Sequence, residues 1–453
     1  MGAGAFIEPL VVVALLFGGT FVNRNKEYRL SFSNRLPASP SSSGSSSPIL
    51  GDALLNDFDE RYDSYSTSLP PQVPRYRRRT VQFLGWSTEV ATPDTRVFQG
   101  RLLSRLLRKF PFLVEAWYWA GIYWIYQIGR SITALTLVEG TVHTARRHAL
   151  QLIRLEEGLH IFYELQIQEV FLARPALMHW INRIYSFIHI PGTILFLVWL
   201  YYYTDTTQSS DLVAPLPPRR RKAGSQSGIC APVSAEDTSN FDSRGGASST
   251  LYEARRRTMA MCNLIAFVVF TIWPCMPPRL LNDKGATGPL VDEARKFKFV
   301  DTVHGATGES SVWTQNKFCN QYAAMPSLHF GYSLLIGLTI MTVPVTEKRQ
   351  RRRCPRPPFF RRYIIVPSWR RLACILVGFL YPCIILVAII ATANHFILDA
   401  VAGAAVCTVA WKGNRFLLNL VALEDWFLYY VRIHKPERVT AWGEEAEERD
   451  EEK

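Results

Sequence analysis

Runs of about 18 to 22 apolar residues, each long enough to cross a hydrocarbon core, alternate along this chain with Arg-rich polar segments. Few folds accept that pattern. Lipid offers no hydrogen bonds, so each run has to satisfy its own backbone as a helix, and the basic segments have to stay in water. The expected fold is therefore all-α, a polytopic membrane helix bundle. The formal charge of +13 does not point to nucleic acid, because the basic clusters adjoin the apolar runs and no basic face interleaves with aromatics. Of the cysteines, Cys262, Cys374, Cys383 and Cys407 fall inside apolar runs and none forms a C-x-x-C pair, so neither a zinc site nor a disulfide framework is expected.

Residues 1–30 hold the first run, Ala5 to Val22, followed by Arg24, Lys26 and Arg29. Positive charge after the run, not before it, favours a retained span with its N-terminus outside over a cleaved signal. Residues 31–100 are rich in Ser, Pro and Arg, including Arg75-Tyr-Arg-Arg-Arg79, and read as a disordered cytosolic linker. The first membrane part, 101–203, opens on a basic amphipathic stretch and carries spans at Phe110 to Ile132 and Ile184 to Tyr203. Between them, from Thr136 to Ala173, Leu152, Leu155, Leu159 and Phe162 recur at helical spacing with Arg154, Glu156, Glu157 and Glu164 in between. That stretch reads as an interfacial amphipathic helix in which His160 and Glu164 are structural. His189, inside a span, either faces a functional interior or snorkels to the surface.

Residues 204–257 form a second disordered cytosolic linker, bracketed by Arg219-Arg-Arg-Lys222 and Arg255-Arg-Arg257. The second membrane part, 258–420, is expected to be the catalytic one, with spans at Thr258 to about Met276, from Ser327 to about Val345, Leu372 to Ala393, and onward from Asn394. Glu347 to Arg371 carries ten Lys and Arg against a single acid, which assigns that loop to the cytosol, and 421–453 is a cytosolic tail. Counting crossings then puts Arg279, Ser327, His329, His395 and Asp399 together on the lumenal or extracellular face.

The residues on that face suit phosphoryl transfer. Pro326 is compatible with a first helical turn, which brings Ser327 and His329 beside free backbone N–H groups and the positive end of the helix dipole. His395 and Asp399 are four residues apart at another helix start, so the carboxylate can accept from one ring nitrogen and leave the other basic. His395 is then the candidate nucleophile, His329 the general acid and base, and Arg279 and Ser327 the clamp on the phosphoryl oxygens, with Asn394 grouped among the substrate-binding residues. No metal or other cofactor is required by this set, whose carboxylates are not clustered as a magnesium site would need.

Pro326-Ser-Leu-His329 and His395-x-x-x-Asp399 also resemble the second and third signature blocks of the type-2 phosphatidic acid phosphatase superfamily. Pro277-Pro-Arg-Leu-Leu281, Asn320-Gln-Tyr-Ala-Ala-Met-Pro-Ser-Leu-His329 and Asn394-His-Phe-Ile-Leu-Asp-Ala-Val-Ala-Gly403 are similar to the branch that includes fungal inositol phosphorylceramide synthase. The resemblance implies a six-helix core, to which this chain adds an N-terminal span, a phosphohistidine formed on His395, and a lipid phosphate as substrate, with phosphoinositol transfer to ceramide as one form of the reaction. Two positions depart from the superfamily pattern. Where its first and third blocks carry additional basic residues, this chain has Ile272 and Ile389. A lipid phosphodiester of lower charge fits that difference; so does a non-catalytic lipid-binding protein that keeps the fold.

Overall fold

A computed structural model describes residues 4–26, 28–30, 76–83, 85–135, 139–213, 249–283, 285, 287–303, 321–345 and 368–436. The Arg-rich loop before Arg371, most of both linkers and the acidic end of the tail lie outside these residues. The described chain is mostly helical and divides into two units, residues 1–23, 116–415 and 438–453 in one and 24–115 and 416–437 in the other.

The smaller unit adds a hairpin to a mostly helical chain, within the stretch 31–100 expected to be a disordered linker. Strands β1 (Tyr76–Phe83) and β2 (Trp86–Pro93) form an antiparallel hairpin, in register from Tyr76 opposite Pro93 to Phe83 opposite Trp86. Gly85 takes a φ of 89° at the tight turn, a conformation open to glycine without strain. Arg78 pairs with Glu89 across the hairpin, and Arg79 is met by a distant acid. Asp425 receives Arg79 Nε at 2.8 Å and the Thr92 hydroxyl at 2.9 Å, while the Asn419 side chain brackets the Gln82 backbone. These acceptors lie more than 300 residues along the chain, so local composition reads as disorder. The unit also holds α2 (Leu102–Lys109); the next helix, α3 (Phe112–Leu135), begins at its edge.

In the larger unit, α1 (Gly4–Val22) is followed by the expected amphipathic segment, which is two helices and not one: α4 (Glu139–Gly158) and α5 (Glu164–Leu172). His160 adopts φ 59°, with Ile161 N–H donating to the Glu156 carbonyl and His160 N–H to that of Glu157, a left-handed helix stop that redirects the chain. The expected polarity is also partly reversed. Leu155 and Leu159 are more than half exposed, whereas Glu156 and Glu164 are completely buried.

α6 (Pro175–Arg183) and α7 (His189–Val213) are joined through a π-helical turn, Ile184–Ile188. α8 (Ser249–Ile272) leads to a 3-10 turn, Pro278–Leu280, and to α9 (Pro289–Arg295). α10 (Leu328–Thr342), α11 (Trp369–Ala391) and α12 (Ile397–Gly413) follow, and α13 (Leu420–Tyr430) closes the smaller unit. Among the described residues two helices are long and apolar enough to cross a membrane, Pro175–Thr204 and Trp369–Ala391; α10 is apolar but shorter. The outward faces suit lipid, with Leu376, Val377 and Phe379 of α11 each more than half exposed.

α10 packs against both α11 and α12, and α12 against α8. Glycines permit the close approach. A Cβ on Gly337 would lie 2.2 Å from the Gly378 carbonyl oxygen, and one on Gly403 would lie 2.3 Å from that of Ser327. Arg255 ties the same helices together, donating from Nε to Thr339 at 2.9 Å with its guanidinium 3.4 Å from the Trp411 ring centroid. Gly403→Ala is expected to destabilise the protein by about 1–3 kcal/mol, because the obstructing atom is backbone and cannot rotate away. Gly413→Ala, where nothing lies within 4 Å, is the control expected to stay within about 0.5 kcal/mol. Thermal unfolding of the detergent-solubilised variants checks both.

Candidate active site

The site is assembled where four chain segments end. α11 stops in a left-handed motif: Ala393 takes φ 53°, its N–H donates to the Ile390 carbonyl, and the Asn394 N–H reaches back to that of Ile389. A non-glycine residue held in this conformation is strained by about 1–2 kcal/mol, and burial on all sides maintains it. The turn delivers Asn394 and His395 directly ahead of α12. An apolar cluster of Ala149 and Ile153 from α4 with Met276, Leu281, Ala324, Ala393 and Phe396 holds the segments together.

His395 Nδ1 lies 2.8 Å from the Ala324 carbonyl oxygen. A carbonyl can only accept, so Nδ1 carries the proton and the lone pair is on Nε2. This differs from the arrangement read from the four-residue spacing. Asp399 Oδ2 is 3.6 Å from Nδ1, beyond a hydrogen bond, and accepts the Phe396 N–H at 2.9 Å. Asp399 thus caps α12 and sets a negative charge beside the imidazole, while the Ala324 carbonyl fixes the tautomer.

His329, in the first turn of α10, has its ring centroid 5.8 Å from that of His395. It is stacked on Tyr185 from the π turn, at 4.8 Å, and lies 4.9 Å from His189. Among the described residues its ring nitrogens make no hydrogen bond. His189 is buried and its Nδ1 lies 3.1 Å from the Tyr381 hydroxyl, so of the two sequence readings the interior one holds.

Ser327 is the N-cap of α10, its hydroxyl accepting the Phe330 N–H at 3.4 Å, and its own N–H donates to the Asp399 carbonyl at 3.0 Å. That backbone bond joins the starts of α10 and α12. Arg279, in the 3-10 turn after α8, donates its N–H to the Ala393 carbonyl at 2.8 Å and its Nε to Asn394 Oδ1 at 2.9 Å. Asn394 is itself held by Thr392. The Arg279 Nη1 meets Asp301 Oδ2 at 3.2 Å. The six sequence candidates therefore belong to one network of contacts drawn from α8, α10, α11 and α12. Neither isoleucine contributes charge: Ile389 is fully buried in an apolar cluster and Ile272 is 74% exposed.

Sequence reasoning missed Asp301, Tyr185 and the Ala324 carbonyl. An acid in the loop between Arg279 and the Pro326-Ser-Leu-His329 block was the available signal for Asp301. A backbone carbonyl leaves none.

Residues 150–214, 247–349 and 359–412 match the family model described as the PAP2 superfamily, and every residue of this site lies within them. Over these residues the chain is similar to the PAP2 superfamily. That similarity suggests a phosphatase or phosphotransferase and, with the two long apolar helices, a membrane protein. No curated protein and no solved structure matches the chain.

Proposed function

We propose that this protein is a PAP2-type, multi-pass membrane lipid phosphatase or phosphotransferase that works through a phosphohistidine on His395, with its site facing the lumen or exterior. The observation that carries this reading is the Ala324 carbonyl on Nδ1, which leaves Nε2 as the nucleophilic nitrogen. Nε2 attacks phosphorus, the P–N bond forms, and the bond to the leaving oxygen breaks as His329 delivers a proton to it. In the second step His329 takes a proton from water or an alcohol, whose oxygen displaces the imidazole. Arg279 meets the charge that spreads over the non-bridging oxygens, with Ser327 and Asn394 setting its surroundings.

A phosphodiester is the favoured substrate class. Asp301 already engages one nitrogen of the clamp arginine, and Ile272 and Ile389 add no charge, so the pocket is better matched to one negative charge than to two. Transfer of phosphoinositol to ceramide is the form nearest to the branch that the motifs resemble. The same sparse charge also favours a second reading, a non-catalytic lipid-binding protein. Purified protein in mixed micelles, given labelled phosphoinositides, phosphatidic acid and other phospholipids with and without ceramide, decides between them. A labelled sphingolipid or released headgroup, inhibited by vanadate, is expected; lipid binding with no product on any substrate would leave the binding protein.

A further inference from the structure

Glu156 near the end of α4 and Glu164 at the start of α5 are both completely buried, an expensive place for two carboxyls. Both reach the first turn of α12. Ile397 N–H donates to Glu164 Oε1 and Leu398 N–H to Glu156 Oε1, each at 2.8 Å, directly beside the Phe396 N–H held by Asp399. Three consecutive N–H groups at the start of α12 are thus taken by three different carboxyls, two of them from outside the helix. The Oε2 atoms of Glu156 and Glu164 are buried and meet no donor, so a proton shared between the two carboxyls is what would satisfy them.

We propose that Glu156 and Glu164 are positioning residues, a carboxyl pair sharing one proton that holds the His395–Asp399 segment in register with Ala324 and Arg279. The inference rests on the phosphohistidine reading for its kinetic consequence but not for its structural one. The shared proton is essential to the arrangement. With it, the pair carries one negative charge, which the dipole of α12 favours. Without it, two carboxylates would face each other and Asp399 in a buried space. Besides these, the buried Cys275 thiol lies within electrostatic range of Asp399 and Glu156, His395 lies beyond Asp399, and on α9 Glu293 is engaged by Arg154 at the surface. No basic side chain among these touches the pair, so proton loss is not compensated.

Burial, reinforced by Glu164, pushes Glu156 up to about 9, and burial also raises Glu164. Because the folded value lies above the unfolded one, the stabilising contribution is complete at low pH and disappears as pH rises through about 9. Glu156→Gln keeps an oxygen for the Leu398 N–H, donates an amide proton to Glu164, and cannot ionise. Two measurements on the full chain in micelles test the proposal: kcat and KM against pH on the best phospholipid, and hydrogen-exchange protection of the 394–400 segment, corrected for intrinsic rate. The wild type is expected to lose kcat and protection together near pH 9, and Glu156→Gln to retain both beyond it. Glu156→Ala should lower kcat by about 100-fold with KM little changed. If Glu156→Gln does not fold, Glu164→Gln gives the same reading, since it too leaves one negative charge on the pair. Identical alkaline midpoints for wild type and these variants in the exchange measurement would overturn the proposal. A wild type inactive on every lipid would instead remove the phosphohistidine reading and leave the exchange result to stand alone.

Discussion

His395→Ala is expected to lower lipid phosphate turnover by about four orders of magnitude or more, the loss that follows when a nucleophile is deleted. Nothing else in the site offers an equivalent lone pair. His329 is a second imidazole, but it is sandwiched against Tyr185 and His189 and has no carbonyl to fix its tautomer. The variant should also lose the acid-labile, alkali-stable phosphate label that the wild type acquires from radiolabelled substrate. His329→Ala is expected to differ in kind: with an activated leaving group the label still forms, and it then persists because the second step lacks its base. Asp399→Asn should cost far less than His395→Ala, since an amide oxygen still accepts the Phe396 N–H and the tautomer is fixed by Ala324. Retention of label and turnover in His395→Ala would sink the mechanism.

Arg279→Ala is expected to reduce kcat/KM by about 1,000-fold, because the guanidinium is the only strong positive charge that the described site residues direct at the phosphoryl oxygens. Truncation also removes the donor to Asn394 Oδ1 and the Arg279 end of the Asp301 ion pair. The more informative variant is Asp301→Asn. It keeps the shape but removes the charge that competes for Arg279 Nη1, so the pocket becomes more positive. Affinity for a phosphomonoester dianion should rise by about 10-fold relative to a phosphodiester, measured as the ratio of KM values for phosphatidic acid and a phosphoinositide. An unchanged ratio would mean that Asp301 has no part in setting the charge preference of the site.

How far the chain could be read depended on the range of each interaction. The two long apolar helices of the larger unit, Pro175–Thr204 and Trp369–Ala391, show in the sequence because apolarity over about 20 residues is a local property. The hairpin at Tyr76–Pro93 does not, because the acid that meets Arg79 is Asp425, far along the chain. Glu156 illustrates a different limit. Spaced among leucines on an amphipathic pattern, a glutamate looks solvated, and only the arrival of the α12 N-terminus opposite it makes burial the better state.

The sequence by itself determined which residue types meet in the candidate site: a Pro-Pro-Arg turn, a Pro-Ser-Leu-His helix start and a His-x-x-x-Asp helix start, each a short-range pattern whose chemistry follows from a few adjacent side chains. The tertiary structure decided which atoms of those residues are bonded to one another. Spacing suggested Asp399 as the partner of the His395 ring, yet the ring donates to the Ala324 carbonyl, and Asp399, Glu156 and Glu164 are spent on backbone N–H groups of α12. The physical reason is that a helix start exposes several N–H groups at once, all of which need acceptors when buried. Which carboxyl answers which N–H is settled by packing across the bundle, beyond the reach of any local motif.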